Sequence, residues 1–164
     1  MRLEVTRVID VRVPQPVAWA LLRDVARLTA CIPKLSDLQV VDPDRQYTGV
    51  VSDKLGPFSL KVPVRITLQQ VDPPRHITAA LVGDDLNGQA RVYGTLEALA
   101  EPTTDASTQL RLSARVEVLG KLATLGAAPM RRRADEIFKE FVERMRDELN
   151  SARTDAVASA ARSD

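Results

Sequence analysis

The sequence predicts an α+β domain in which a curved antiparallel sheet wraps around one long C-terminal helix. Three observations carry this. Residues 58–69 and 108–118 alternate strictly between apolar and polar, so each strand has one dry and one wet face. Short turns such as Asp42-Pro43-Asp44, Gly56-Pro57 and Asp72-Pro73-Pro74 separate the strands, as antiparallel neighbours require. Ala134, Phe138, Phe141, Met145 and Leu149 recur at helical spacing, with Ile137 and Val142 beside them. That apolar stripe supplies the cover a half-dry sheet needs.

In chain order, residues 2–13 form the first strand, with Leu3, Val5, Ile9, Val11 and Val13 on one face. Arg7 interrupts that face. Pro14 and Pro16 end the strand, and Pro16 suits the first turn of a helix, where a missing N–H costs little. The helix carries Val17, Trp19, Ala20, Leu21 and Val25. A second short helix covers 26–33 and stops at Pro33. Strands follow over Leu38–Val41, Tyr47–Leu55 and 58–69, where Pro63 predicts an edge strand or a bulge. Residues 75–83 and 89–98 are the next strands, linked by a hairpin turn over Gly83–Gly88. On the second of them Ala90, Val92, Gly94, Leu96 and Ala98 share a face. Pro102–Ser107 is a loop, and 108–118 is the last strand. Gly120–Gly126 is a half-apolar loop bounded by glycines, leading into the final helix. Residues 1–150 make one domain, and Ser151–Asp164 reads as a flexible tail or a frayed helix end. One strand, two short helices, six strands and one long helix is the order of a helix-grip fold.

Composition narrows the function. Lys and Arg number 23 against 22 Asp and Glu, so there is no overall basic field to gather nucleic acid. Cys31 is the single cysteine and His76 the single histidine, which speaks against an internal disulfide and a zinc site. No nucleophile motif, glycine-rich phosphate loop or EF-hand spacing is present. The expectation is therefore no catalytic residue, no metal and no cofactor. The chain starts with strand-like alternation and has no long apolar run, so it is expected to be cytoplasmic, with peripheral attachment at the inner face of the membrane as an option.

Five segments carry a family resemblance: Val13-Pro-Gln-Pro-Val-Ala-Trp19-Ala-Leu-Leu-Arg-Asp24, Cys31-Ile32-Pro33, Tyr47-Thr-Gly49-Val-Val-Ser-Asp-Lys54-Leu-Gly56-Pro57, Gly120-Lys-Leu-Ala-Thr-Leu-Gly126, and the Phe138/Phe141 helix. Together, over residues 1–149, they resemble the carbon monoxide dehydrogenase G-subunit family of the START-like (SRPBCC) superfamily. The resemblance implies a START-like helix-grip fold and a carrier of a lipid or isoprenoid quinone. It further implies recruitment to the membrane or quinone delivery for a molybdenum hydroxylase such as carbon monoxide dehydrogenase. Two features depart from the family pattern. Lys34 stands where a glycine is usual after Cys-Ile-Pro, and the tail has no apolar segment to anchor in a bilayer.

Small residues at Ala90, Gly94, Ala98 and Ala114 leave room opposite Phe138 and Phe141, either for a ligand pocket or for close helix-on-sheet packing with Gly94 at a bulge. The residues expected to face a ligand are Phe58, Leu60 and Val62 on one strand and Val92 and Gly94 on another. Ala114, Val116, Phe138 and Phe141 complete the wall, with Leu122 and Leu125 as a gate. The same two leucines read equally as a membrane-touching lip or as a cap on the core. Arg131, Arg132 and Arg133 lie where the helix dipole is positive, an unfavourable place for cations. They are either a solvated basic turn or a contact for anionic headgroups or an acidic partner. Cys31 reads as a buried small hydrophobe, whereas the resemblance implies a place at the pocket rim. A polyketide cyclase/aromatase-like enzyme would need polar groups around His76, Tyr47 or Tyr93. A ligand-free assembly module for a redox enzyme would need a fully packed interior.

Overall fold

A computed structural model describes the backbone of residues 1–163 and the side chains of residues 1–151. Its elements are β1 (Arg2–Val11), α1 (Gln15–Arg23), α2 (Val25–Ala30), β2 (Leu35–Asp42), β3 (Gln46–Leu55), β4 (Phe58–Asp72), β5 (His76–Asp84), β6 (Arg91–Thr104) and β7 (Ser107–Leu119). A short 3-10 helix, Lys121–Leu125, and α3 (Ala127–Ser163) follow. The seven strands form one antiparallel sheet in the order β1-β7-β6-β5-β4-β3-β2. Since β1 and β2 occupy opposite edges, the α1–α2 link must cross the whole sheet. It can do so only because the sheet curves around α3.

Local chemistry explains the helix starts. Pro14 precedes α1 in extended conformation, and the N–H groups of Val17 and Ala18 bond back to its carbonyl at 3.0 and 3.2 Å. Asp24 caps α2, its Oδ1 accepting from the Arg27 N–H at 3.2 Å.

Several boundaries differ from those expected. The Pro102–Ser107 loop is a tight hairpin: β6 runs to Thr104 and β7 begins at Ser107, leaving only Asp105 and Ala106 between them. The first strand ends at Val11 and the second helix at Ala30, while β2 is longer than expected. Its apolar alternation is obscured by two register shifts and a left-handed Asp37 (φ 54°). Pro63 sits neither on an edge strand nor at a bulge, because β4 pairs with both β3 and β5. Lys61 points its N–H and C=O to the β5 side, to Asp85 Oδ1 and the Leu86 N–H. Pro63, two residues on, therefore aims the same way, just past the last β4–β5 pair, Val64–Gly83, where no N–H is required. The backbone of α3 continues through Ser163, while the side chains from residue 152 onward, in the expected tail, lie outside the described residues.

The core has two centres. One gathers Ile9, Val11, Val13, Leu21, Leu22, Leu110, Leu112, Met145 and Leu149 between the sheet, α1 and α3. The other packs Leu3, Leu60, Val62, Val64, Ala90 and Val118 around Leu122 and Met130, at the end where α3 begins.

Candidate functional site

A cavity of about 280 Å³ lies under α3, in the half of the sheet nearest α1 and α2. Its floor is Ile66 and Leu68 of β4, Ile77 and Ala79 of β5, Leu96 and Ala98 of β6, and Leu112 and Ala114 of β7. Strand register makes this floor. Ile77, Ala98 and Leu112 are direct cross-strand partners in one row, and Ala79, Leu96 and Ala114 in the next. The three alanines hold the floor away from the roof. That roof is Ile137, Phe138 and Phe141, the two rings edge-to-face at 5.9 Å and 77°. Leu22, Val25, Leu28, Thr29 and Ile32 close one side. The polar contributors are Thr29, whose hydroxyl donates to the Val25 carbonyl, and Thr78, Glu97 and Ser113. The last three form one row on the opposite, wet face of the strands, so the cavity surface is nearly all hydrocarbon.

Of the residues expected to face a ligand, the structure brings Ala114, Phe138 and Phe141 to this cavity. Leu60, Val62 and Leu122 instead belong to the second core centre, with Phe58, Val92, Val116 and Leu125 packed against it. Leu122 is 4% exposed and its N–H bonds to the Gln89 carbonyl at 2.9 Å, the position of a core cap. Leu125 rests on the β3–β4 turn, 3.1 Å from where a Cβ on Gly56 would lie. Gly94 is neither a pocket wall nor a bulge. A Cβ there would stand 2.1 Å from the Arg115 carbonyl, so glycine is what lets β6 approach β7.

The α1–α2 wall has no counterpart among the expected residues, nor do Ile66, Leu68, Ile77, Ala79, Leu96 and Leu112. The available signal is the set of small inward-facing residues on three neighbouring strands, Ala79, Ala98 and Ala114, in adjacent rows, which marks the emptier half of the sheet. A shallower groove of about 340 Å³ lies on the outer face by Thr48, Pro63, Arg65, Val82 and Asp84, open to solvent and without a helix over it.

A hollow between a curved sheet and its gripped helix is the setting in which the similarity to known proteins falls. Residues 8–150 match the model of the carbon monoxide dehydrogenase G-subunit family, CoxG. This chain belongs to the CoxG family. A conserved protein from Geobacillus kaustophilus is similar in structure, with a TM-score of 0.82 at 21% identity over 92% of this chain and 97% of that one. A START superfamily protein from Mycobacterium smegmatis aligns with a TM-score of 0.70 at 15% identity, covering 91% and 98%. The Zhui aromatase/cyclase from Streptomyces sp. R1128 aligns at 0.58 and 15% identity, covering 91% and 92%. At these identities the likeness shows a shared START-like fold. No curated protein matches the sequence.

The CoxG-family chain separates its three consecutive arginines. Arg131 and Arg132 are exposed. Arg133 is not free: its Nε and Nη2 bond to Asp53 Oδ2 and Oδ1 at 2.8 and 2.9 Å, and its Nη1 to Glu136 at 2.8 Å. Burial acts to raise the Asp53 pKa, but the Arg133 and Lys54 hydrogen bonds and the nearby cations outweigh it and hold it below the ordinary 3.8. Arg133 is correspondingly raised, chiefly by its bond to Asp53.

Arg7, which interrupts the apolar face of β1, also has a partner. Its Nη2 meets Asp135 Oδ1 at 2.7 Å, and its guanidinium lies 5.8 Å from the Phe138 ring centre. Cys31 is buried, with its thiol pKa raised mainly by desolvation. His76 bonds Glu97 at 3.1 Å, Tyr47 is buried and Tyr93 is exposed; none of the three lines the cavity. Asp85 in the β5–β6 turn accepts from the N–H groups of Lys61, Asn87 and Gln89, the role of a turn-forming carboxylate. Among the described residues no helix is long and apolar enough to cross a membrane.

Proposed function

We propose that this chain is a non-enzymatic carrier that holds a hydrophobic small molecule, a lipid or an isoprenoid quinone, in the cavity under α3. The observation that carries this reading is the cavity wall: hydrocarbon from four strands and three helices, roofed by Phe138 and Phe141. Such a site gains affinity from apolar burial, about 25 cal/mol per Å² removed from water. Ligand pockets run from roughly 300 to 1,000 Å³. At about 280 Å³ this cavity therefore suits one ring system or a short prenyl segment, with any longer tail outside.

Family membership supports a role beside carbon monoxide dehydrogenase, and the setting proposed for it is the inner face of the cytoplasmic membrane. Arg131 and Arg132, exposed at the start of α3, are the residues proposed to meet anionic headgroups there. Each cation contributes about 1 kcal/mol near such a surface, so attachment is weak and reversible. Leu122 and Arg133 are committed within the fold and take no part.

Mass spectrometry of an organic extract of the purified protein tests the carrier reading. A stoichiometric lipid or quinone is expected. An empty extract, together with no uptake of added quinone or fatty acid, contradicts it.

A further inference from the structure

We propose that Arg7 is the polar end of the cavity, donating to an uncharged carbonyl oxygen of a ligand whose apolar body lies under Phe138 and Phe141. The inference rests on the carrier reading and narrows the ligand class to a carbonyl-headed apolar molecule.

Register places Arg7 there. The row Ile77, Ala98, Leu112 on the cavity floor continues directly to Arg7, the cross-strand partner of Leu112. An apolar residue is the rule at such inward positions, as Leu3, Val5, Ile9 and Val11 on the same strand show. The guanidinium lies over Phe138, which is itself part of the cavity roof. Arg7 thus flanks the cavity through both floor and roof. Its side chain is 42% exposed, so the charge stands where the apolar interior meets water. An amphipathic ligand, too large to be enclosed whole, would present its polar atom at that boundary.

The bonding capacity of Arg7 selects the head. A guanidinium has five N–H donors. Among the described residues Nη1 donates to the Thr6 carbonyl at 3.0 Å and Nη2 to Asp135 at 2.7 Å, which leaves donors for a ligand oxygen. Asp135 already balances the charge of Arg7. A ligand carboxylate would meet the repulsion of Asp135, whereas a carbonyl accepts the bond without it. A pure hydrocarbon would leave the remaining donors unused.

Three probes of similar shape separate these cases: dimethylnaphthoquinone, dimethylnaphthalene and naphthoic acid. Their dissociation constants are measured by equilibrium dialysis. The wild-type protein is expected to hold the quinone about tenfold more tightly than the hydrocarbon, equal to about 1.4 kcal/mol, and more tightly than the acid. In Arg7→Leu/Asp135→Leu, which removes both charges together, the quinone-to-hydrocarbon ratio is expected to fall to about one. Asp135→Asn keeps Arg7 and is expected to turn the preference towards naphthoic acid, which keeps the test open if the double variant does not fold. Equal binding of quinone and hydrocarbon by the wild-type protein overturns the role of Arg7 and leaves the carrier reading standing. A wild-type preference for the acid overturns the choice of an uncharged head. Binding of none of the three overturns the carrier reading and this inference with it.

Discussion

Arg133 grips Asp53 through two N–H···O bonds of 2.8 and 2.9 Å and so ties the first turns of α3 to the inward face of β3. The Asp53 side chain is 9% exposed and that of Arg133 26%, so the pair is largely withdrawn from water. The local sequence alone reads as an unfavourable run of cations at a helix start. The fold resolves the third of them by bringing a carboxylate from 80 residues away.

Loss of this tie has a measurable cost. Charged hydrogen bonds contribute about 1.5–3 kcal/mol, so Arg133→Ala is expected to lower unfolding free energy by about 2 kcal/mol. The pH dependence has a definite sign. The Asp53 pKa is depressed in the folded state, so its contribution is complete above the unfolded value of 3.8. It is lost as pH falls through the lower folded value. Urea midpoints of wild type and Asp53→Asn should therefore differ at neutral pH and converge on acidification below the ordinary carboxylate range. A gap that stays constant at all pH values contradicts this.

Gly94 offers a sharper contrast. Gly94→Ala drives a Cβ to 2.1 Å from the Arg115 carbonyl and 2.8 Å from Val116 Cα, both backbone atoms. A cost of about 3 kcal/mol or more is expected, at the upper end for overpacking. Gly88→Ala, at φ +70° but with nothing within 4 Å, should cost only about 1–2 kcal/mol. Denaturant unfolding of the two variants checks the order.

Lys34 is a non-glycine residue in the left-handed region, at φ 71°. A non-glycine residue there is strained by roughly 1–2 kcal/mol, and glycine carries a chain-entropy cost of about 0.5–1 kcal/mol. Lys34→Gly is therefore expected to keep or slightly raise the melting temperature, while Lys34→Val lowers it. A clear drop for Lys34→Gly would contradict the strain argument.

Element order was legible because strict alternation on β4 and β7 and the apolar stripe through Phe138 and Phe141 each admit one periodicity. The site was legible only in part. Leu60 and Val62 alternate as cleanly as Ile66, so the pattern does not say which half of the sheet stays open. Leu122 and Met130 decide it by filling one end, while Ala79, Ala98 and Ala114 leave the other hollow. The α1–α2 wall was beyond local pattern altogether. Leu28 and Ile32 reach the cavity only because the link between the two edge strands crosses a curved sheet. Arg7 was visible as a break in alternation, but its partner Asp135 lies 128 residues on.

The cavity itself is most directly tested by filling it. Ala114 lines its floor and is only partly buried, so Ala114→Phe can place a ring in the open space beneath Phe138 and Phe141. Equilibrium dialysis with dimethylnaphthoquinone, on variants whose circular dichroism matches wild type, measures the consequence. The account predicts at least tenfold weaker binding for Ala114→Phe and unchanged binding for Val82→Phe on the outer face. Equal affinity in wild type and Ala114→Phe would contradict it.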